Sequence, residues 1–333
     1  MRQLNKVSEV YTDPNGKAGD LYTIENGLHV RDVYIHAGIG EEVTIGHTSD
    51  LHFNYCNQQD LDEANPVILS TLEKRLWQAN AKSVPNAQRC LAFLSELDQV
   101  VINGDTLDYL SHGAMEIMQR EIWDQYPNVI ATLGGHDCVR RMQGLVEDST
   151  TPESRMEILK GFWKHDLYYV SKVLKEKVMV VALFNDLSSF TWDQVEKFKA
   201  DLQTAKEKGY VMVVFAHEPI ATHNPADRNI EREDVVMVGD KSVYPINLCD
   251  GLKTDGSLRF LGCIHSDEPT MALYHLMVNN ADIVKAYFAG HEHTHMYNEI
   301  IAKNSDGSDA IIPQYVNTAN AYQEGHAMRI CID

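Results

Sequence analysis

Residues 99–108 read Gln-Val-Val-Ile-Asn-Gly-Asp-Thr-Leu-Asp, an apolar, β-branched run that ends in a glycine and two carboxylates. The run has the length of a buried strand and stops at turn-forming residues. Residues 28–35 look strand-like, and comparable apolar runs lie at 42–46, 128–133, 178–184, 210–215 and 283–288. We predict that these runs form strands of largely buried sheets, because they are apolar throughout rather than alternating.

Segments with helical periodicity lie between the apolar runs. They are 66–81, 86–97, 115–125, 152–163, 191–208 and 269–279. The first has Asn65 as a candidate N-cap and Pro66 at its first helical position. Strands that alternate with helices predict an α/β fold with helices outside the sheets.

The chain also suggests a division into parts. We expect residues 1–42 to be an N-terminal extension packed on a main domain of residues 43–333. Within the main domain, residues 220–268 are long for a connection, rich in Pro and Gly, and weakly periodic. Such a segment predicts a cap-like insertion over a site.

Composition restricts the partners. The formal charge of −19 would repel a nucleic-acid backbone, so we expect no nucleic-acid partner. No stretch approaches the length of a membrane-spanning helix, and the first residues lack the apolar core of a signal peptide. The six cysteines are scattered without a CxxC pair, which favours reduced thiols and a cytoplasmic location. The oligomeric state stays open.

Five polar clusters close or directly follow the apolar runs. They are Asp50-Leu51-His52, Gly104-Asp105-Thr106-Leu107-Asp108, Gly134-Gly135-His136-Asp137, His217 in Phe215–Pro219, and Gly290-His291-Glu292-His293. In α/β sheets, ligands bind at the carboxyl ends of strands. Mn, Fe and Zn ions accept imidazole and carboxylate ligands together. The clusters therefore predict a site for a pair of divalent metal ions.

The spacing within the clusters fits this chemistry. Asp50 and His52 are two residues apart, so an extended segment would point both at one ion, and His291 and His293 repeat the spacing. A carboxylate such as Asp105 can bridge two ions, and a hydroxide between ions about 3.5–4 Å apart would attack phosphorus in line. Each cluster alone also has an ordinary explanation, as a turn, exposed histidines or a structural zinc half-site.

As a set, the clusters resemble the motifs of the calcineurin-like metallophosphoesterase superfamily: DxH, GDxxD, GNH(D/E), a lone His and GHxH. The resemblance runs from about residue 43 to 333 and is nearest in style to bacterial phosphodiesterases. It implies a four-layer α/β/β/α sandwich of two mixed sheets with flanking helices. It also implies metal-dependent hydrolysis of a phosphomonoester or phosphodiester of a small molecule.

The resemblance also implies roles for individual residues. The first metal would be bound by Asp50, His52, Asp105 and His293, and the second by Asp105, His217 and His291. His136 would protonate the leaving oxygen or hold the phosphate. Asp108 would orient the His136 imidazole, as carboxylates do for catalytic histidines.

One position departs from the family pattern. The Asn of GNH(D/E), which in the family binds the second metal, is replaced here by Gly135. The second metal could bind through the remaining ligands at reduced affinity, or another side chain could replace the Asn, either Asp137 or one from the 220–268 segment. A third alternative is an empty second site with weak activity.

The sequence constrains the substrate less. The GDxxD motif is followed by Tyr109, where protein Ser/Thr phosphatases of the family carry an Arg, which counts against that class. Arg140 and Tyr55 are candidate substrate contacts, and His47 is a further candidate for the wall of the cleft, although ordinary structural roles are common for such residues.

Two other functions remain open. The fold could be a binding or scaffold protein with a degenerate site, for which Gly135 is the feature in favour. The metal could instead be purely structural, in which case chelation would unfold the protein.

Overall fold

The computed structural model describes residues 6–12, 18–25, 27–63, 81–138, 152–185, 189–220, 236–238, 241–243, 268–291, 293, 296–321 and 325–333. Three predicted features lie outside the described residues: most of the helix at 66–81, Arg140, and most of the 220–268 insertion.

Two mixed β-sheets form the centre of the described structure. The first contains, in spatial order, β1 (Lys6–Thr12), β2 (Ala18–Glu25), β3 (Leu28–Ile35), β15 (His326–Ile332), β4 (Val43–Thr48), β5 (Gln99–Asn103) and β6 (Ile130–Thr132). The second contains β13 (Met296–Lys303), β14 (Asp309–Val316), β12 (Val284–Ala289), β9 (Val211–Ala216), β8 (Val178–Leu183) and β7 (Tyr169–Leu174). Strands β4 to β6 are parallel to one another, as are β8, β9, β12 and β14.

The two sheets pack face to face. Ile45 of β4 and Val101 of β5 share one buried cluster with Val213 and Phe215 of β9. Phe215 stacks on Phe288 of β12, with ring centroids 4.9 Å apart. Since both faces of these central strands are covered, their sequences are apolar throughout, as the runs at 99–103 and 211–216 show.

Helices cover the two outer faces. They are α1 (Gln58–Glu63), α2 (Ala81–Leu94), α3 (His112–Met118), α4 (Gly135–Cys138), α5 (Pro152–Phe162), α6 (Trp192–Lys208) and α7 (Glu268–Val278), with a π-helical turn at Gln119–Trp123. Leu91 of α2 and Leu159 of α5 pack in one cluster with Ile102 of the first sheet. Phe198 of α6 and Leu273 of α7 pack with residues of the second sheet. The predicted four-layer α/β/β/α architecture is confirmed.

Most predicted elements are confirmed, with shifted ends. The helix predicted at 86–97 begins earlier, at Ala81, and ends at Leu94. The helix predicted at 115–125 begins at His112, because the Ser111 side chain accepts a hydrogen bond from the Ala114 backbone N–H and caps it. The sequence pattern did not indicate β1, β2, β7, β13 to β15 or the short strands at Val236–Val238 and Lys241–Val243. Strand β14, which lies next to the edge strand β13, has partly exposed positions along its length and so lacks a continuous apolar run.

The N-terminal strands continue the first sheet. Strand β3 pairs in parallel with β15, with His29 opposite His326, and β2 pairs with β3. In the 220–268 region the described residues include a two-stranded ribbon of β10 (Val236–Val238) and β11 (Lys241–Val243). The role of this region as a cap stays a prediction. None of the described helices combines the length and apolar content needed to cross a bilayer.

Candidate metal centre

The five clusters all follow the carboxyl ends of strands that carry them to one place. Strands β4, β5 and β6 of the first sheet lead into Asp50, Asp105 and His136, while β9 and β12 of the second sheet lead into His217 and His291. Since these ends of the two sheets lie together, side chains far apart in sequence converge.

A buried amide ties the two sheets together beside this place. The Asn103 Nδ2 group donates to the backbone oxygens of Ala216 and Phe288, at 3.0 Å each. Its Oδ1 accepts from the Thr132 hydroxyl at 3.1 Å. Asn103 therefore joins β5 to β6, β9 and β12, and the sequence analysis did not identify it.

The first group of converging side chains contains Asp50, His52, Asp105 and His293, whose candidate ligand atoms all lie within 4.8 Å of one another. Asp50 Oδ1 lies 3.2 Å from His293 Nε2, and the Nε2 atoms of His52 and His293 are 3.1 Å apart. The structure thus brings together the four side chains predicted for the first metal. Their role as ligands stays a prediction.

The second group contains Asp105, His217 and His291, again within 4.8 Å. His217 Nδ1 lies 2.8 Å from the backbone oxygen of Asn103, which can only accept, so Nδ1 carries the proton. The other ring nitrogen, Nε2, lies 3.2 Å from Asp105 Oδ2. In a neutral His217 that nitrogen presents a lone pair to a carboxylate, an arrangement that a cation between them would stabilise.

The donor atoms fit divalent metal ions. Among the described residues, Asp50 Oδ1 and His217 Nε2 are buried and make no hydrogen bond of good geometry, although His293 Nε2 and Asp105 Oδ2 respectively lie 3.2 Å from them. Buried polar atoms without partners are costly, and here they point into groups of carboxylate and imidazole ligands. Asp105 belongs to both groups, which is the arrangement that a bridging carboxylate requires.

Electrostatics favour charged forms at the site even without a metal. Burial would raise the pKa of Asp50 and of Asp105, but the nearby imidazoles, His217 foremost, hold both values below their ordinary range. Burial would lower the pKa of His217, but Asp105 and Asp50 hold it well above its ordinary value. Protons on the histidines therefore compete with metal ions for these carboxylates.

Backbone strain is concentrated at the site. Seven described non-glycine residues have positive φ. Five of them belong to the two groups: Asp50 (55°), His52 (46°), Asp105 (51°), His291 (70°) and His293 (52°). Such conformations cost of order 1–3 kcal/mol each and persist where the surrounding structure enforces them, which is common at functional sites.

Two glycines allow the close packing of the site. A Cβ at Gly134 would lie 2.5 Å from the Asp105 backbone nitrogen and closer still to its carboxylate. A Cβ at Gly104, whose φ is +81°, would run into the His217 ring. These positions exclude larger residues because the Asp105 carboxylate and the His217 imidazole occupy the space.

His136 and Asp108 lie beside the first group. His136 Nδ1 donates to the main-chain oxygen of Asp108 at 2.7 Å and lies 3.3 Å from Asp108 Oδ1. The same oxygen, Asp108 Oδ1, lies 3.1 Å from His52 Nδ1. Asp108 therefore contacts both the imidazole proposed for proton transfer and an imidazole proposed for metal binding.

Other candidate positions turned out differently. Asp137, offered as a substitute for the missing Asn, accepts the backbone N–H groups of Leu107 and Gly134 at 2.7 and 2.8 Å with its two oxygens and belongs to neither ligand group, so replacement of the Asn by another side chain stays a prediction. Burial, followed by the charge of Asp105, raises the pKa of Asp137 to about 7. His47 does not line the cleft. It is fully buried between the sheets beside Phe215 and Phe288.

The remaining substrate candidates stay predictions. The Tyr55 side chain is 45 % exposed, and its backbone oxygen accepts from the Ser111 hydroxyl at 2.7 Å. Gly135 lies at the start of α4, so no side chain from this position reaches the second group. Among the described residues, that group has three side chains.

Comparison with known proteins gives one family. The family model for calcineurin-like phosphoesterases matches residues 43–295. No curated protein matches the sequence significantly.

Several solved structures are similar. A dimetal phosphatase from Danio rerio is 13 % identical, with a TM-score of 0.41 over 86 % of this chain and 90 % of that one. A purple acid phosphatase from yellow lupin (Lupinus luteus) seeds is 12 % identical, with a TM-score of 0.43 over 83 % of this chain and 44 % of that one. A putative 5'-nucleotidase from Staphylococcus aureus is 10 % identical, with a TM-score of 0.35 over 83 % and 54 % of the respective chains. At these values the likeness has no bearing on substrate or activity.

Proposed function

The chain belongs to the calcineurin-like phosphoesterase family, and from this membership we propose that it is a metal-dependent phosphoesterase acting on a phosphomonoester or phosphodiester of a small molecule. The observation that supports the proposal most is the pair of ligand groups that share Asp105. Two divalent ions bound there would supply positive charge against the phosphoryl oxygens and activate water at neutral pH.

His136 is suited to assist the leaving group. Its Nδ1 proton is donated to the Asp108 main-chain oxygen, which leaves Nε2 available for a substrate. Burial would lower the pKa of His136, but Asp105 and Asp108 raise it above its ordinary value. In the metal-free protein the protonated imidazole is therefore favoured, and in that form it can donate a proton to a departing oxygen.

Asp105 helps to hold His136 in position. Asp105 Oδ1 accepts the His136 backbone N–H at 2.8 Å, so the proposed bridging carboxylate also fixes the loop that bears the proton donor. The formal charge of −19 would repel an anionic substrate, and two bound cations at the site would reverse that effect locally. We favour a small phosphorylated substrate, either a phosphomonoester or a phosphodiester, and a cytoplasmic location.

The rival proposal, a scaffold with a degenerate site, has one observation in its favour. The second group has no Asn ligand, because the position where the family pattern has that Asn is Gly135. Against it, five candidate ligand residues keep strained, positive-φ backbones. A protein that no longer bound metal would gain stability by relaxing them.

The experiment is the substitution Asp105→Asn, tested by hydrolysis of an aryl phosphate ester in the presence of Mn²⁺. Because Asp105 belongs to both groups, we expect turnover to fall by about 10³-fold or more, at the upper end of single electrostatic contributions. Asp98→Asn is the matched control. It precedes the same strand and its carboxylate pairs with Lys175 at 2.8 Å, away from the site. Unchanged turnover in a folded Asp105→Asn protein would refute the proposal.

A further inference from the structure

A run of hydrogen-bonded polar side chains begins at the Asp108 carboxylate oxygen that does not face His52 and His136. The second carboxylate oxygen, Asp108 Oδ2, accepts a hydrogen bond from Asn54 Nδ2 at 2.6 Å. Asn54 Oδ1 accepts from the Tyr109 hydroxyl at 2.9 Å, and the Cys56 Sγ atom lies 3.3 Å from that hydroxyl. Asn54 and Tyr109 are each 1 % exposed, so these two side chains are sealed from solvent, whereas Cys56 is partly buried.

The donor and acceptor roles in this run are fixed in one order. The Asp108 carboxylate can only accept, so the Asn54 amide must present its NH₂ group to it. The Asn54 oxygen then faces Tyr109, whose hydroxyl must donate. Since that hydroxyl proton is used, the Cys56 thiol is the donor to the Tyr109 oxygen. Burial raises the pKa of Cys56 to about 11, which keeps the thiol protonated.

The backbone brings Asn54 to this position. The segment after β4 runs beside the segment after β5, with Phe53 N–H donating to Thr106 at 2.8 Å and Asp108 N–H donating to Phe53 at 3.1 Å. These backbone hydrogen bonds therefore fix the position of Asn54 opposite Asp108 and Tyr109.

Holding one oxygen of Asp108 fixes where the other points. With Oδ2 bound to Asn54, Oδ1 faces two imidazoles, His52 Nδ1 at 3.1 Å and His136 Nδ1 at 3.3 Å. A carboxylate at one ring nitrogen keeps the proton there and leaves the other nitrogen for a metal. For His52 that other nitrogen, Nε2, faces Asp50 and His293.

We propose that Asn54, oriented by Tyr109, is a positioning residue that holds Asp108 so that one carboxylate oxygen sets the tautomer of His52 and the orientation of His136 together. The proposal rests on the proposed phosphoesterase function for its catalytic consequence. Its structural consequence can be measured in the metal-free protein.

Two variants test it. Asn54→Leu removes both hydrogen bonds at similar volume, and Tyr109→Phe removes only the hydroxyl that orients the amide. We expect the affinity of the tighter Mn²⁺ site to fall about 10- to 100-fold in Asn54→Leu, as for the loss of other groups that orient metal ligands. In Tyr109→Phe we expect a fall of about 2- to 10-fold, the size of one neutral hydrogen bond.

Tyr169→Phe is the matched control, because it also removes the hydroxyl of a buried tyrosine. Tyr169 lies on β7 of the second sheet, and its hydroxyl donates to Asp201 Oδ2 at 2.8 Å. The first readout is ¹⁵N-histidine NMR of metal-free protein at pH 8.5. His52 should keep Nδ1 protonated in the wild type and in Tyr169→Phe, and should exchange between tautomers in Asn54→Leu.

The second readout compares two substrates. If His136 protonates the leaving oxygen, Asn54→Leu should lose more activity on an alkyl phosphate ester than on a 4-nitrophenyl ester, whose leaving group needs no proton. A general loss of packing would reduce both equally. Wild-type Mn²⁺ affinity with a single His52 tautomer in both variants would overturn the proposal.

The outcomes separate the two proposals. If Asn54→Leu does not fold, Tyr109→Phe decides through the same readouts. If no ester is hydrolysed by the wild type, while the tautomer and Mn²⁺ affinity still change, the proposed function fails and the positioning role stands.

Discussion

Replacing Gly104 by alanine tests whether this glycine makes room for the His217 imidazole, a proposed metal ligand, or only allows the backbone its positive φ. Gly104 has a φ of +81°, and its oxygen accepts the Asp50 backbone N–H at 3.0 Å. Gly209, at the end of α6, has a φ of +70°. A Cβ at Gly209 meets nothing within 4 Å, whereas one at Gly104 lies 2.5 Å from His217 Cγ and 2.7 Å from His217 Cβ.

The magnitudes follow from this difference. Both alanines pay the left-handed penalty of about 1–2 kcal/mol. To reach an ordinary contact of about 3.5 Å, the His217 ring must also move by about 1 Å in Gly104→Ala, which adds about 1–3 kcal/mol of overpacking. That movement breaks the 2.8 Å contact between His217 Nδ1 and Asn103. A displacement of about 1 Å at a reacting site can cost about 10²-fold in rate.

Urea unfolding of the metal-free proteins, Mn²⁺ titration and ester hydrolysis measure the three effects. We expect Gly209→Ala to lose stability alone, and Gly104→Ala to lose stability, affinity for the second metal and turnover. Equal behaviour of the two variants in Mn²⁺ titration would refute the reasoning that the space at Gly104 serves His217.

Two further predictions concern the second metal and pH. Gly135→Asn should tighten the weaker of two Mn²⁺ sites by about 10-fold or more, because it supplies a ligand that the second group lacks; two equally tight sites in the wild type would contradict this. Burial lowers the pKa of His47 to about 3, from an ordinary value of 6.5. Below pH 6.5 His47 is therefore protonated in the unfolded state but stays neutral in the folded state. The free energy of unfolding should fall as the pH drops, and His47 should account for about 2 kcal/mol of this loss at pH 5. His47→Phe should flatten the pH dependence of urea unfolding between pH 6.5 and 5, and an unchanged slope would count against a neutral buried His47.

The convergence of the five clusters could be predicted because each follows directly from a strand. An apolar run identifies the strand, and parallel strands bring their carboxyl ends together. Asp50, Asp105, His217 and His291 could therefore be assigned to one site from their positions alone. The same logic could have corrected the prediction that His47 lines the cleft. His47 lies two residues after Ile45 and four after Val43 in β4, so its side chain is on the same buried face of the strand.

The polar side chains around the site could not be predicted in the same way. Asn54 contacts Asp108 because two loops pair through backbone hydrogen bonds, and this pairing depends on β4 lying beside β5. Asn103 lies at the end of an apolar strand, and its role depends on the neighbouring sheet. Asp137 follows the motif closely enough to suggest a ligand, but its oxygens are bound to Leu107 and Gly134. Such contacts are tertiary and leave no periodic signal in the sequence.

The most direct test of the metal centre is anomalous diffraction from crystals soaked in Mn²⁺. We predict two peaks on either side of the Asp105 carboxylate, one among Asp50, His52 and His293 and a weaker one beside His217 and His291. A single peak outside both groups, or no peak at an Mn²⁺ concentration that supports ester hydrolysis, would contradict the assignment of a two-metal site.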